Sequence, residues 1–165
     1  MRSFSFRAVV GAAFLLLLSG VFVFDAAADN SLRRLAAPSV AGPVGSVETL
    51  SRQASVTMHH CSTAQCIGDA LDLYAIGLRD VAPQLPPALR SLPSVVATAA
   101  RRVRAAKTIG EAVQAVTAAI AEVHKAITLL KADDSDALSI GTRAGTLVAG
   151  TLQIASNRLE KATGL

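Results

Sequence analysis

The sequence predicts an all-α protein, a small antiparallel helical bundle of three or four helices behind a cleavable signal peptide. Three observations lead there. Hydrophobic residues make up 52% of the chain but aromatics only 4%, with no Trp, so helix-forming Ala and Leu outweigh the rings that favour strands. Long segments repeat apolar residues every three or four positions, which is one face of a helix. Proline, glycine and capping residues mark the ends of those segments, where a helix leaves backbone groups to satisfy.

Arg2 and Arg7 form a short positive lead, followed by an uninterrupted apolar run from Ala8 to Phe24 and then Asp25-Ala26-Ala27-Ala28-Asp29. Ala26 and Ala28 fit the small-x-small rule of a signal peptidase, which places cleavage after Ala28 and makes residues 1–28 the signal peptide. The run is long for a signal core and short of the about 20 residues a spanning helix needs. Left uncleaved, residues 8–24 would anchor the chain to the inner membrane. Val21 stands where a lipidation site would require cysteine, which predicts no lipid anchor. Arg33-Arg34 follows the apolar run, so it is no twin-arginine signal. The layout predicts a bacterial protein that is periplasmic or secreted. Removing residues 1–28 leaves 14 Lys and Arg against 11 Asp and Glu, a net charge of +3. These charges are scattered and lack interleaved aromatics, which argues against nucleic-acid binding.

Residues 29–62 are predicted to be a flexible spacer. Pro38, Gly42, Pro43 and Gly45 punctuate it, and the only helical stretch expected is a short one from about Glu48 to Val56. The bundle domain is expected over 63–165.

The first firm helix runs from about Thr63 to Val81, with Ile67, Leu71, Tyr74, Leu78 and Val81 on one face. Pro83, Pro86 and Pro87 end it, because proline lacks an amide donor and clashes with the preceding turn. Tyr74 is expected in the core with its hydroxyl in water. The second helix runs from Pro93, suited to the first helical position, to about Lys107. Arg101, Arg102, Arg104 and Lys107 crowd its last turns, where cations complement the helix dipole.

Thr108-Ile109-Gly110-Glu111 reads as a capping box, Thr108 at the N-cap and Glu111 at N3. It opens a third helix to about Ala132, along Val113, Val116, Ile120, Val123, Ile127 and Leu130. A single helix bent near Gly110 is the alternative to separate second and third helices. Asp133 to Asp136 supply the next turn and an acidic start. The fourth helix runs to about Thr163, with Gly164 as its C′ residue. Gly141, Gly145 and Ala149 form a small-xxx-small ridge on it. Charges such as Arg143 and Arg158 argue against a membrane span, so the ridge is read as the close approach of a neighbouring helix.

Met58-His59-His60-Cys61-Ser62-Thr63-Ala64-Gln65-Cys66 holds the only concentrated chemistry. Ser62 and Gln65 match a Ser-x-x-Gln capping box, which puts Cys61 at N′ and Cys66 at N4, the two positions that meet in a hydrophobic staple. That spacing predicts a Cys61–Cys66 disulfide, worth about 2 kcal/mol for so short a loop and favoured by an oxidising compartment.

Two alternatives use the same residues. Zinc or copper would be held by His59, His60, Cys61 and Cys66, with Met58 as a further donor, although Cys-x4-Cys is not a standard structural zinc spacing. A thiol-redox accessory role would use Cys66 at the start of a helix, without the usual Cys-x-x-Cys. His124 is expected at solvent or the bundle edge. No Ser-His-Asp order, His-Glu-x-x-His or phosphate-binding glycine loop appears, so the chain is expected to be no enzyme and to need no cofactor. The expected function is that of an exported, non-enzymatic helical protein of the cell envelope, a protein-interaction or structural module. Its expected partner is another protein or a second copy, with no nucleic acid, and a membrane only through the N-terminal segment if that is uncleaved.

Overall fold

The computed structural model describes residues 42–130 and 135–165. The signal peptide, its cleavage site, the anchor at residues 8–24 and the aspartates at 133 and 134 lie outside the described residues. Within them the protein is all-α. Five helices occur: α1 Gly42–His59, α2 Ala64–Val81, α3 Leu92–Ala105, α4 Ile109–Thr128 and α5 Ser135–Leu159. Two single 3₁₀ turns, Ala82–Gln84 and Pro87–Leu89, link α2 to α3. No described helix is long and apolar enough to cross a membrane.

Each helix packs on the next, and α5 returns to pack on α1, closing a ring. Short connections make sequence neighbours antiparallel. With five helices, α1 and α5 therefore run parallel. One end gathers the C-termini of α1, α3 and α5 with the N-termini of α2 and α4. The other end gathers the reverse set.

The ring has five described helices where three or four were expected, because α1 is not a spacer. Its Val47, Leu50, Ser51, Ala54 and Met58 are buried, at helical spacing. Gly42 has a φ of +69°, the only positive value among the described residues, and turns the chain into the helix. Pro43 sits in the first turn, where its missing N–H is no loss. The glycine and proline that suggested a loop are thus a helix start. The expected helix at 48–56 is the middle of this 18-residue element.

Helices α3 and α4 are separate. Ala106 leaves the helix with ψ 139° and Thr108 is extended at φ −138°. Thr108 accepts a hydrogen bond from the Glu111 N–H at 3.1 Å. The Glu111 carboxylate accepts from the Lys107 N–H at 2.7 Å, one residue before the cap itself. Helix α4 ends at Thr128 and α5 at Leu159, each short of its expected end.

The ridge on α5 faces α4. A Cβ added at Gly141 would lie 2.7 Å from Leu130 Cδ1, and one at Gly145 only 2.5 Å from Ile127 Cγ1. Those distances are inside van der Waals contact, so Ile127 and Leu130, at and just beyond the end of α4, fill the ridge, and a larger residue there would force those side chains to shift.

At the junction of α1, α2 and α5, three buried hydroxyls meet. Ser51 Oγ and Tyr74 Oη share a hydrogen bond of 2.7 Å, and the Thr151 hydroxyl, whose Oγ1 donates to the Leu147 carbonyl at 2.9 Å, lies close enough to the Tyr74 hydroxyl to act on its pKa. The Tyr74 hydroxyl is therefore not in water as expected, because α1 and α5 bring it partners. Burial pushes its pKa up to about 12, with the two hydroxyl contacts pulling the other way.

Candidate functional site

The residues around the cysteines are placed by two helix ends. Helix α1 closes with a tightened turn, in which His60 N–H donates to the Thr57 carbonyl and Cys61 N–H to the Met58 carbonyl, both at 3.1 Å. Helix α2 opens at Ala64 with Thr63 as its N-cap, whose Oγ1 accepts from the Cys66 N–H at 3.3 Å. The cap is thus one residue later than the expected Ser62, and Cys66 falls at N3. The Gln65 amide donates to Asp69 Oδ1 at 3.3 Å and takes no part in capping. Thr63 wins because its extended backbone (φ −125°, ψ 156°) is the N-cap conformation.

Cys61 and Cys66 form a disulfide with Cα atoms 5.5 Å apart. The pair is lopsided. Cys61 is only 2% exposed, while Cys66 lies at the surface. Cys61 Sγ lies 3.6 Å from the Thr57 carbonyl oxygen, a contact that becomes a hydrogen bond only when the sulfur carries a proton.

The other expected donors do not gather on the cysteines. Met58 is fully buried in the core, and both sulfurs are bonded to each other. His59 and His60 are exposed. No group of three or more His, Cys, Asp or Glu able to hold a metal is present among the described residues. The set proposed for zinc or copper is thereby reduced, in this disulfide form, to two neighbouring imidazoles. His124 is exposed on α4.

No local sequence pattern pointed to what else holds this junction. Arg158, near the end of α5, donates from Nη2 to the His59 carbonyl at 2.8 Å and to the Cys61 carbonyl at 2.9 Å. Its Nε is buried without a hydrogen-bond partner. Beyond α5, the Thr163 N–H donates to the Ser62 carbonyl at 3.0 Å and its Oγ1 to the same oxygen at 3.4 Å. The Ala64 N–H donates to the Gly164 carbonyl at 3.0 Å, making an isolated parallel bridge between Thr63 and Gly164. These partners lie about a hundred residues apart in the chain, beyond the reach of any local pattern.

The opposite end of the bundle carries two open grooves. One, of about 550 Å³, is lined by Arg79, Arg90, Pro93 and Ser94 beside the start of α3. The Ser94 and Val95 N–H groups already donate to the Ser91 carbonyl, and Pro93 has none, so that helix start offers little to an anion. The other, of about 380 Å³, is apolar and lined by Pro86, Pro87, Leu129, Leu130 and Leu138. Elsewhere Arg104 of α3 bridges Asp69 and Asp72 of α2, each at 3.2 Å. The hydrogen bond to Asp69, then those to Asp72, raise its pKa, partly offset by desolvation.

Comparison of the chain with protein-family models, with curated proteins and with solved structures finds no match.

Proposed function

We propose that the chain is an exported, non-enzymatic protein of the cell envelope, periplasmic or secreted, whose helical bundle serves as a protein-interaction or structural module. The observation that carries this reading is the Cys61–Cys66 disulfide built into the junction of α1, α2 and the C-terminal segment. Such bonds persist in oxidising compartments and are rare in the cytosol. Arg2, Arg7, the run from Ala8 to Phe24 and the Ala26-x-Ala28 site support the same destination. Zinc or copper binding is the weaker reading, because Met58 is buried and the sulfurs are joined.

Expression of the full chain in a bacterial host, with fractionation, N-terminal sequencing and thiol alkylation, tests the export half. The expected product is periplasmic, begins at Asp29 and has no alkylatable thiol. Cytoplasmic protein that begins at Met1 and has two reactive thiols overturns it. Crosslinking in the native envelope tests the module half. A stoichiometric protein partner or a second copy supports it, and a monomer with no crosslinked neighbour counts against it.

A further inference from the structure

We propose that Cys61–Cys66 is a one-sided thiol-exchange site, and that its reduction by an external dithiol unlatches the C-terminal segment of the protein. The inference does not depend on the export reading. It rests on where the hydrogen bonds of that segment land.

Five hydrogen bonds tie residues 158–164 to the turn between α1 and α2, and all of them land between His59 and Ala64. Three of them are accepted by the carbonyls of Cys61 and Ser62. Those two residues lie within the ring that the disulfide closes. The ring fixes the direction of both carbonyls. Without it, the turn is held by short-range backbone bonds and by the Thr63 cap on Cys66. The covalent bond and the C-terminal latch therefore share one small piece of backbone.

The chemistry is directional. Thiol–disulfide exchange needs attack along the line of the S–S bond. Cys61 lies inward and is 2% exposed, whereas Cys66 is at the surface, so the open approach leads to Cys66 Sγ. A thiolate of the dithiol bonds to Cys66 Sγ while the Cys61–Cys66 bond breaks. Cys61 Sγ takes the electron pair and a proton, and its S–H has the Thr57 carbonyl as a ready acceptor. The second thiolate of the reductant then attacks its own bound sulfur, and Cys66 leaves and is protonated. The protein gains two electrons and two protons, and the reductant becomes a disulfide.

Amide hydrogen exchange read by mass spectrometry, on the full chain oxidised and reduced with dithiothreitol, tests the latch. Reduction is expected to speed exchange at Ala64 and Thr163 by up to about tenfold, the upper range for losing one backbone hydrogen bond. Exchange in α3 and α4 is expected to stay unchanged. Unchanged exchange at Thr163 after complete reduction overturns the proposal, as does loss of protection throughout the bundle. Treatment with glutathione, followed by fragment-ion mapping, is expected to place the adduct on Cys66. An adduct on Cys61, or none, overturns the one-sidedness.

Coupling between the two events must be reciprocal. Arg158→Ala, or Thr163→Pro should that variant not fold, is expected to shift the disulfide towards the dithiol form in a glutathione redox buffer. The shift should not exceed the factor by which reduction speeds exchange at Thr163, since each variant removes only part of the latch. An unshifted equilibrium in a folded variant overturns the coupling.

Discussion

At the disulfide end of the bundle, α1, α2 and α5 are joined by a covalent bond, an arginine and a short backbone pairing. At the opposite end, the turns between α2 and α3 close on local hydrogen bonds of their own and meet α5 through apolar packing, with Leu89 fully buried against its glycine ridge. Polar contacts are directional, so they fix the register of the chains they join. Apolar packing is directionless and responds to volume alone. The first end therefore specifies how the chain is arranged, and the second supplies burial while leaving two open grooves at the surface. The hydroxyls of Ser51, Tyr74 and Thr151 lie between the two ends and act like the first.

The largest effect is expected at the apolar end. Leu89→Ala removes a side chain wedged beside Gly141 and Gly145, and should lower stability by about 2–5 kcal/mol in urea unfolding. A loss comparable to that of a surface residue would show that the turns contribute little to the core. The disulfide end should respond less. Cys61→Ala with Cys66→Ala should lower stability by about 2 kcal/mol, with the helix content by circular dichroism retained. Collapse of the fold would mean that the covalent bond, and not the packing, holds that end.

Tyr74 tests the middle. Its folded pKa is raised to about 12 from 10.0, so the folded state keeps the phenol proton longer than the unfolded chain does. Its contribution is complete below about pH 10 and lost as pH rises towards about 12. It is the only tyrosine, so ultraviolet absorbance of tyrosinate reads it directly. Ionisation should coincide with alkaline unfolding, and Tyr74→Phe should remove that part of the pH dependence. Titration near pH 10 with the fold intact would show that the hydroxyl is open to water. The smallest effect is expected at Leu129, which is 63% exposed beside the apolar groove. Leu129→Ser should stay within about 0.5 kcal/mol of the parent. A larger loss would make the groove part of the core.

Much of the bundle was legible because its signals are local. The stripes from Ile67 to Val81 and from Val113 to Leu130 mark α2 and α4. The Gly141–Gly145 ridge marked a close helix contact without naming α4 as the partner. Helix α1 was foreseen only as its middle, about 48–56, because Ser51 and Ala54 weaken its buried stripe, and because Gly42 and Pro43 read equally as loop or helix start. The expected cap at Ser62 missed by one residue, since Ser62 and Thr63 are chemically alike and only backbone geometry separates them.

The sequence by itself determined the helices with strong stripes, the capping box at Thr108 and the spacing that brings Cys61 to Cys66. Each depends on residues within about one turn of one another, whose geometry the backbone imposes. Only the tertiary structure decided that α1 joins the core, that α5 closes the ring, that Arg158 clamps the cysteine turn and that Tyr74 finds two hydroxyls. Those contacts pair residues from 23 to 99 positions apart or more. No local pattern encodes such a pairing, because it exists only once the connecting turns have set which helix faces meet.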